Sequence, residues 1–248
     1  MTSTAPSKAQ IRIAVVGRKG GTGKTTTCLG LASLLASQKR RVLLVDLDPQ
    51  SNAAYGLGLN PSAPGTVELL RGKHPEPLAA SERLHVLPGN AELLERDIQD
   101  AHPDDLAQAL KDVPYDVIIF DCPPGNERLE LMAISAANAA LIVVTAHQFA
   151  LAGAARIIKF LDEHQKKARP GPARDRVAVL MNLTDMRRVA DRAWTKEVQE
   201  TWKDLPCFEV RQDAQVAAAT NLGVSLMDHC PDGRGVEDLK VVAKWVRS

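Results

Sequence analysis

The chain has 248 residues, 45% of them hydrophobic and 4% aromatic, with 31 Lys+Arg against 30 Asp+Glu. This length suffices for one large α/β domain with a core on both faces of its sheet. A formal net charge of +1 excludes nucleic-acid binding driven by bulk charge, so any such contact needs a local basic patch.

The four cysteines, Cys28, Cys122, Cys207 and Cys230, show no C-x-x-C spacing. That argues against a zinc knuckle or a disulfide framework, reads as small core hydrophobes, and suits a reducing compartment. Residues 1–10 are polar and lack an apolar h-region, so they read as a disordered tail rather than a signal peptide, ahead of a single domain over 11–248. No apolar run is long enough to span a bilayer, and a cytoplasmic location is expected.

From Ile11 onward, aliphatic and β-branched runs alternate with longer amphipathic segments. Strands are predicted at Ile11–Val16, Val42–Asp46, Leu84–Leu87, Val117–Asp121, Ala140–Thr145, Val177–Met181 and Phe208–Val210. Such βαβ alternation predicts a twisted, mostly parallel sheet with helices on both faces. Between Tyr55 and Pro77 the glycines and prolines predict a surface loop with at most one short helix, near Val67–Arg71. Lys166 to Arg176 reads as a basic, proline-broken loop. Parallel sheets place their sites beyond the carboxyl ends of their strands, so Gly17–Thr27, Asp46–Asp48 and Asp121–Gly125 should converge on one crevice.

The stretch Arg18-Lys19-Gly20-Gly21-Thr22-Gly23-Lys24-Thr25-Thr26-Thr27 follows the first strand and opens a helical pattern. Strand, glycine loop and helix together make a cradle for polyphosphate, because backbone N–H groups and a helix N-terminus point at the anion. Gly20, Gly21 and Gly23 permit close approach of the backbone, Lys24 can lie along the β and γ phosphates, and Thr25 offers a hydroxyl to Mg²⁺. Arg18 stands where the usual G-x-x-x-x-G-K-[ST] pattern has its first glycine. Since Lys24 serves the loop from within, Lys19 is left for something else, such as the phosphates of a nucleotide held by a second copy. Asp121, at the end of an apolar strand, fits an organiser of metal or water. In an extended segment Asp46 and Asp48 project to the same side, where they can share a metal and a water.

These stretches resemble the ParA/MinD family of deviant Walker P-loop ATPases, whose loop reads K-G-G-x-G-K-T-[ST]. Leu43 to Asn52, containing Asp46-Leu47-Asp48-Pro49-Gln50, is similar to the D-x-D-P-Q segment of the ParA branch, and Asp121-Cys122-Pro123-Pro124 to the family's D-x-P-P segment. The resemblance covers Ile11 to about Arg247. It implies a P-loop NTPase-like fold, ATP and Mg²⁺ as cofactors, and an ATP-sandwich homodimer in which Lys19 acts across the interface. Gly20 to Thr26 would then hold nucleotide, with Asp46, Thr25 and Asp121 around the metal and Asp48 positioning the attacking water. An asparagine after the sixth predicted strand, here Asn182, contacts adenine in ParA-like proteins; its alternative reading is a strand-end turn residue. Pro206–Gln215 lies where the family closes over the base, but it lacks the usual glutamate-alanine pair before Gly223, so no base contacts are assigned there.

Arg187, Arg188, Arg192 and Lys196 form a local basic cluster, and Lys240, Lys244 and Arg247 recur at helical spacing near the C-terminus. They read either as DNA-phosphate contacts or as solvated faces neutralised by Asp185, Asp191 and Glu197, and the resemblance favours DNA. It further implies a ParB-like adaptor on a plasmid, chromosomal or protein cargo, and a nucleoid-associated location without membrane binding. The alternative is a MinD-like membrane-cycling ATPase, but Val236–Arg247 carries a core-facing pattern rather than a membrane-surface helix. A cluster-bridging iron-protein relative is disfavoured because Cys122 is not part of a cysteine pair. With only about ten residues before the first strand, a helix-turn-helix repressor is disfavoured too.

Overall fold

The computed structural model describes residues 10–146, 150–167 and 169–248. The expected tail therefore lies outside the described residues except for Gln10, which belongs to the fold. Its amide donates to the carbonyls of Val113 at 3.1 Å and Tyr115 at 2.7 Å.

Eight strands form one sheet: β1 (Ile11–Val16), β2 (Val42–Asp46), β3 (Leu78–Ala79), β4 (Leu84–Leu87), β5 (Val117–Asp121), β6 (Ala139–Thr145), β7 (Val177–Thr184) and β8 (Cys207–Arg211). Their order is β3-β4-β2-β5-β1-β6-β7-β8, parallel throughout except for β3, which pairs antiparallel with β4. The apolar runs become strands because both faces of a parallel sheet are covered, so a continuous hydrophobic stretch is fully used. Residues 42–46 and 117–121 are buried along their whole length. Period-two geometry divides each run between two cores. Ala14 and Val16 pack with the helices Glu127–Ala136 and Ala150–Lys166, whereas Ile13 and Val15 pack with Lys24–Ser37 and Arg234–Val246.

Three features depart from the sequence reading. β3 has only two residues, too few for a periodic signal, and β7 continues past its apolar run to Thr184. Nor is the Tyr55–Pro77 segment a mere surface excursion. Its short helix, Thr66–Leu70, buries Val67 and Leu69 in the core, and the Thr66 N–H donates to the Pro88 carbonyl at 2.9 Å. Arg71, at the end of that helix, ties it to Glu92, Glu95 and Asp97.

The sheet order positions the site. β1 lies between β5 and β6, with β2 beyond β5 and β7 beyond β6, so the carboxyl end of β1 faces the crevice where the winding direction reverses.

Candidate nucleotide site

The glycine loop takes the conformation its sequence requires. Gly21 and Gly23 have φ of 74° and 83°, and Gly23 caps a helix, Lys24–Ser37, that has no side-chain cap and no acidic residue in its first turn. The first N–H groups of that helix are thus left for an anion. Lys24 is 6% exposed and its Nζ donates to the Lys19 carbonyl at 3.1 Å, while the Lys19 side chain is exposed. Thr25 and Thr26 line a cleft of about 780 Å³ together with Asp48, Pro124 and Asn126.

Asp46 and Asp121 sit side by side in the β2–β5 register, buried at the carboxyl ends of their strands. Asp121 is 1% exposed and neither carboxylate oxygen has a hydrogen-bond partner. Burial pushes it up to about 6, opposed by the neighbouring Thr25 hydroxyl and the Lys24 ammonium. Asp46 is also raised well above the ordinary carboxylate value, by burial first and Asp121 second. Its oxygens, however, are occupied: one accepts the Asp48 N–H at 2.8 Å, the other the Ala53 N–H at 3.0 Å. Asp46 therefore braces the 47–53 loop. Asp48 is half-buried, lines the cleft, and accepts the Gln50 N–H at 3.0 Å.

Several contributors were invisible in the sequence because they come from distant elements. A Cβ on Gly89 would lie 2.4 Å from the Asp48 carbonyl, so only glycine lets that loop pass. Arg18 reaches across to the helix after the Pro123-Pro124 segment, pairing with Glu127 at 2.6 Å and standing 3.6 Å from Glu130. Glu130 is 3% exposed, and its carboxyl is raised by burial, with Arg18 acting against that. Asn182 is buried inside β7 rather than after it, and its amide donates to the Thr22 carbonyl of the glycine loop at 2.8 Å. A second groove, about 940 Å³, runs from Gly21 and Gly23 past Asn182–Arg188 to Val210–Ala214. Within the 206–215 stretch, Asp213 caps the Ala214–Leu222 helix through the Gln215 N–H and also accepts the Gly235 N–H, both at 2.9 Å.

A family model described as an AAA domain matches residues 10–171. The chromosome-partitioning ATPase Soj of Thermus thermophilus is 33% identical over 95% of this chain and 94% of its own. The chain belongs to the ParA/MinD family of P-loop ATPases. Two solved structures share the fold. Apo McdA from Cyanothece has a TM-score of 0.82 at 23% identity, covering 96% of this chain and 100% of its own. Pyrococcus horikoshii MinD, solved with Mg-ADP, scores 0.75 at 24% identity over 96% of each.

In this ParA/MinD-family chain Asp121 and the neighbouring Thr25 suit Mg²⁺. The orphaned Asp121 carboxylate and the Thr25 hydroxyl are hard oxygen donors, and among the described residues no group of three His, Cys, Asp or Glu side chains could hold a metal unaided. Magnesium takes one or two protein carboxylates and completes its shell with phosphate and water. Cys28 and Cys122 are buried, and burial, with Asp121 adding to it, holds both thiols well above their ordinary value, as neutral core residues.

Several of the basic residues are held by local partners. Arg187 and Arg188 share Asp185, at 2.9 and 3.7 Å, and hydrogen bonds from Arg187 hold that carboxyl down at about 2. Arg192 donates to the carbonyls of Met186 and Arg187, and Lys196 lies 3.6 Å from Glu200. Lys240 and Lys244 stand on the Arg234–Val246 helix, which packs in the opposite core from the Val189–Thr201 helix. Arg187 and Arg188, which precede the Val189–Thr201 helix, line the same groove as Arg234 and Leu239 of the Arg234–Val246 helix.

Proposed function

We propose that the chain is an ATP-driven partitioning ATPase. ATP closes two copies face to face, and each inserts Lys19 toward its neighbour's triphosphate. The closed dimer binds DNA without reading sequence, a cargo-bound adaptor stimulates slow hydrolysis, and the released monomers rebind elsewhere on the nucleoid. The observation that carries this reading is the division of labour in the loop. Lys24 is buried and serves the loop from within, while Lys19 projects outward beside it.

Bound Mg²⁺ would supply neutralisation of the charge developing on the γ-phosphate, held by Thr25 and Asp121. Around it the loop N–H groups orient the triphosphate, Lys24 moves from the Lys19 carbonyl to the phosphates, and Asp48 positions the attacking water. Asp46 keeps Asp48 in place through the backbone bonds of the 47–53 loop.

The membrane-cycling alternative finds no support in the last helix, where Val236, Leu239, Val242, Ala243 and Val246 are all at most 2% exposed. Its apolar face is already used by the core. One experiment separates the readings: size-exclusion with ATP and Mg²⁺, followed by a gel shift on unrelated DNA and liposome sedimentation. An ATP-dependent dimer retained on DNA and absent from lipid is expected. A protein that stays monomeric with ATP, or pellets with liposomes but not with DNA, overturns the proposal.

A further inference from the structure

Arg18 occupies the position at which a phosphate loop of the usual pattern has a glycine, so its side chain is an addition that phosphate binding does not require. The residue before it is clamped. A Cβ on Gly17 would lie 2.7 Å from the Val143 carbonyl oxygen, so the backbone there runs against β6. Arg18 adds a second anchor on the helix Glu127–Ala136, pairing with Glu127 at 2.6 Å and standing 3.6 Å from Glu130. Lys19 is the first residue beyond these anchors, exposed and followed by Gly20 and by Gly21 with its φ of 74°.

Packing does not account for Glu130. Its helix neighbours Leu129, Met132 and Ala133 belong to the core, and an apolar residue in its place would avoid the desolvation of a carboxyl group that is 3% exposed. Its Oε1 has no hydrogen-bond partner, and neither has the Arg18 Nε that stands 3.6 Å from the other oxygen, Oε2. That separation is too long for a hydrogen bond and short enough for charge attraction. The Glu127–Ala136 helix begins directly after Pro123–Asn126, and Pro123, Pro124 and Asn126 line the nucleotide cleft together with Gly20–Thr26. Arg18 does not line that cleft, yet it ties the root of the glycine loop to the helix behind the Pro123-Pro124 segment.

We propose that Arg18, through Glu130, is the positioning residue for Lys19: it fixes the root of the loop so that the Lys19 ammonium is presented to the triphosphate of a second copy. The proposal rests on the reading of Lys19 given above and adds what holds that side chain in place. A lysine followed by two glycines samples many directions, and fixing its backbone removes part of that freedom before the two copies meet. The Lys19 carbonyl is otherwise held by the Lys24 ammonium at 3.1 Å. When phosphates draw Lys24 away, Arg18 is the side chain that still anchors this end of the loop.

The test follows Mg·ATP hydrolysis with enzyme in excess, so that slow turnover registers, together with Mg·ADP affinity by calorimetry and the thermal midpoint as a check of folding. One variant combines Arg18→Gln with Glu130→Gln and so leaves no buried charge unpaired; the other, Arg18→Lys, keeps the charge and loses the planar fork. Each is made with Lys19 present and again with Lys19→Ala. With Lys19 present, the paired glutamines should slow hydrolysis about tenfold, Arg18→Lys should retain more of the rate, and Mg·ADP should bind as in the wild type. With Lys19→Ala, the same changes should have no further effect, because the group they position is gone. A double variant that hydrolyses ATP at the wild-type rate overturns the proposal. An equal fold-loss in both backgrounds also overturns it, since Arg18 would then act on something other than Lys19, and so does a parallel loss of Mg·ADP affinity, which would make the pair a support of the nucleotide cleft. Lys19→Ala alone hydrolysing as fast as the wild type would instead remove the reading of Lys19 on which the proposal stands.

Discussion

Replacing Asp121 with Asn should make the nucleotide-free protein more stable and at the same time deprive it of its response to Mg·nucleotide. Asp121 is 1% exposed, carries two oxygens without partners, and stands in register with the buried Asp46. Its carboxyl is raised from 3.8 to about 6, an interval worth about 3 kcal/mol at ~1.36 kcal/mol per pH unit. The sign follows from linkage. The folded state holds the proton more tightly than the unfolded chain, so this group's contribution falls as pH rises from about 4 through about 6 and the full penalty is present above that. Asparagine keeps the shape and removes the charge. At pH 7.5 the metal-free variant should melt about 5–10 °C above wild type, and the gap should close as pH approaches 4. Adding Mg·ADP should raise the wild-type midpoint and leave the variant's nearly still, because the carboxylate that suits the metal is gone. Thermal melts across pH, with and without Mg·ADP, provide the measurement. An Asp121→Asn protein that melts lower than wild type at pH 7.5, or gains as much from Mg·ADP, refutes the assignment of this orphaned carboxylate to the metal.

Other outcomes are expected at the same site. Lys24→Ala should abolish ATP binding, since the loop loses its internal cation, and titration calorimetry showing retained tight binding would count against the P-loop assignment. Asp48→Ala should bind ATP normally and accumulate as a dimer, with phosphate release falling by two orders of magnitude or more, on the order of what a positioned proton acceptor contributes; unchanged phosphate release would remove Asp48 from its role. Changing Arg187, Arg188 and Arg192 together to Glu should leave ADP affinity intact and lower the salt dependence of DNA retention by about 0.9 in log–log slope for each DNA phosphate that is no longer neutralised. An unaltered slope would move the DNA surface elsewhere.

The sequence by itself determined the strands and which groups stand at their ends. Continuous apolar runs fit only a sheet covered on both faces, so seven of the eight strands were legible, and β3 was missed because two residues show no period. The places of the glycine loop after β1 and of Asp121 at the end of β5 were likewise readable, because glycine turns and strand-end carboxylates depend on local spacing. Only the tertiary structure decided what each polar group is free to do. Asp46 looks equivalent to Asp48 in the chain, yet backbone N–H groups from Asp48 and Ala53 take up both its oxygens. Arg18 finds Glu127, 109 positions away, and Arg187 and Arg188 come to line one groove with Arg234 and Leu239. A bulge at Leu183 arises in the pairing of two strands. Spacing fixes which groups are available along one strand or helix turn, whereas burial and hydrogen-bond occupancy depend on elements brought together from distant parts of the chain.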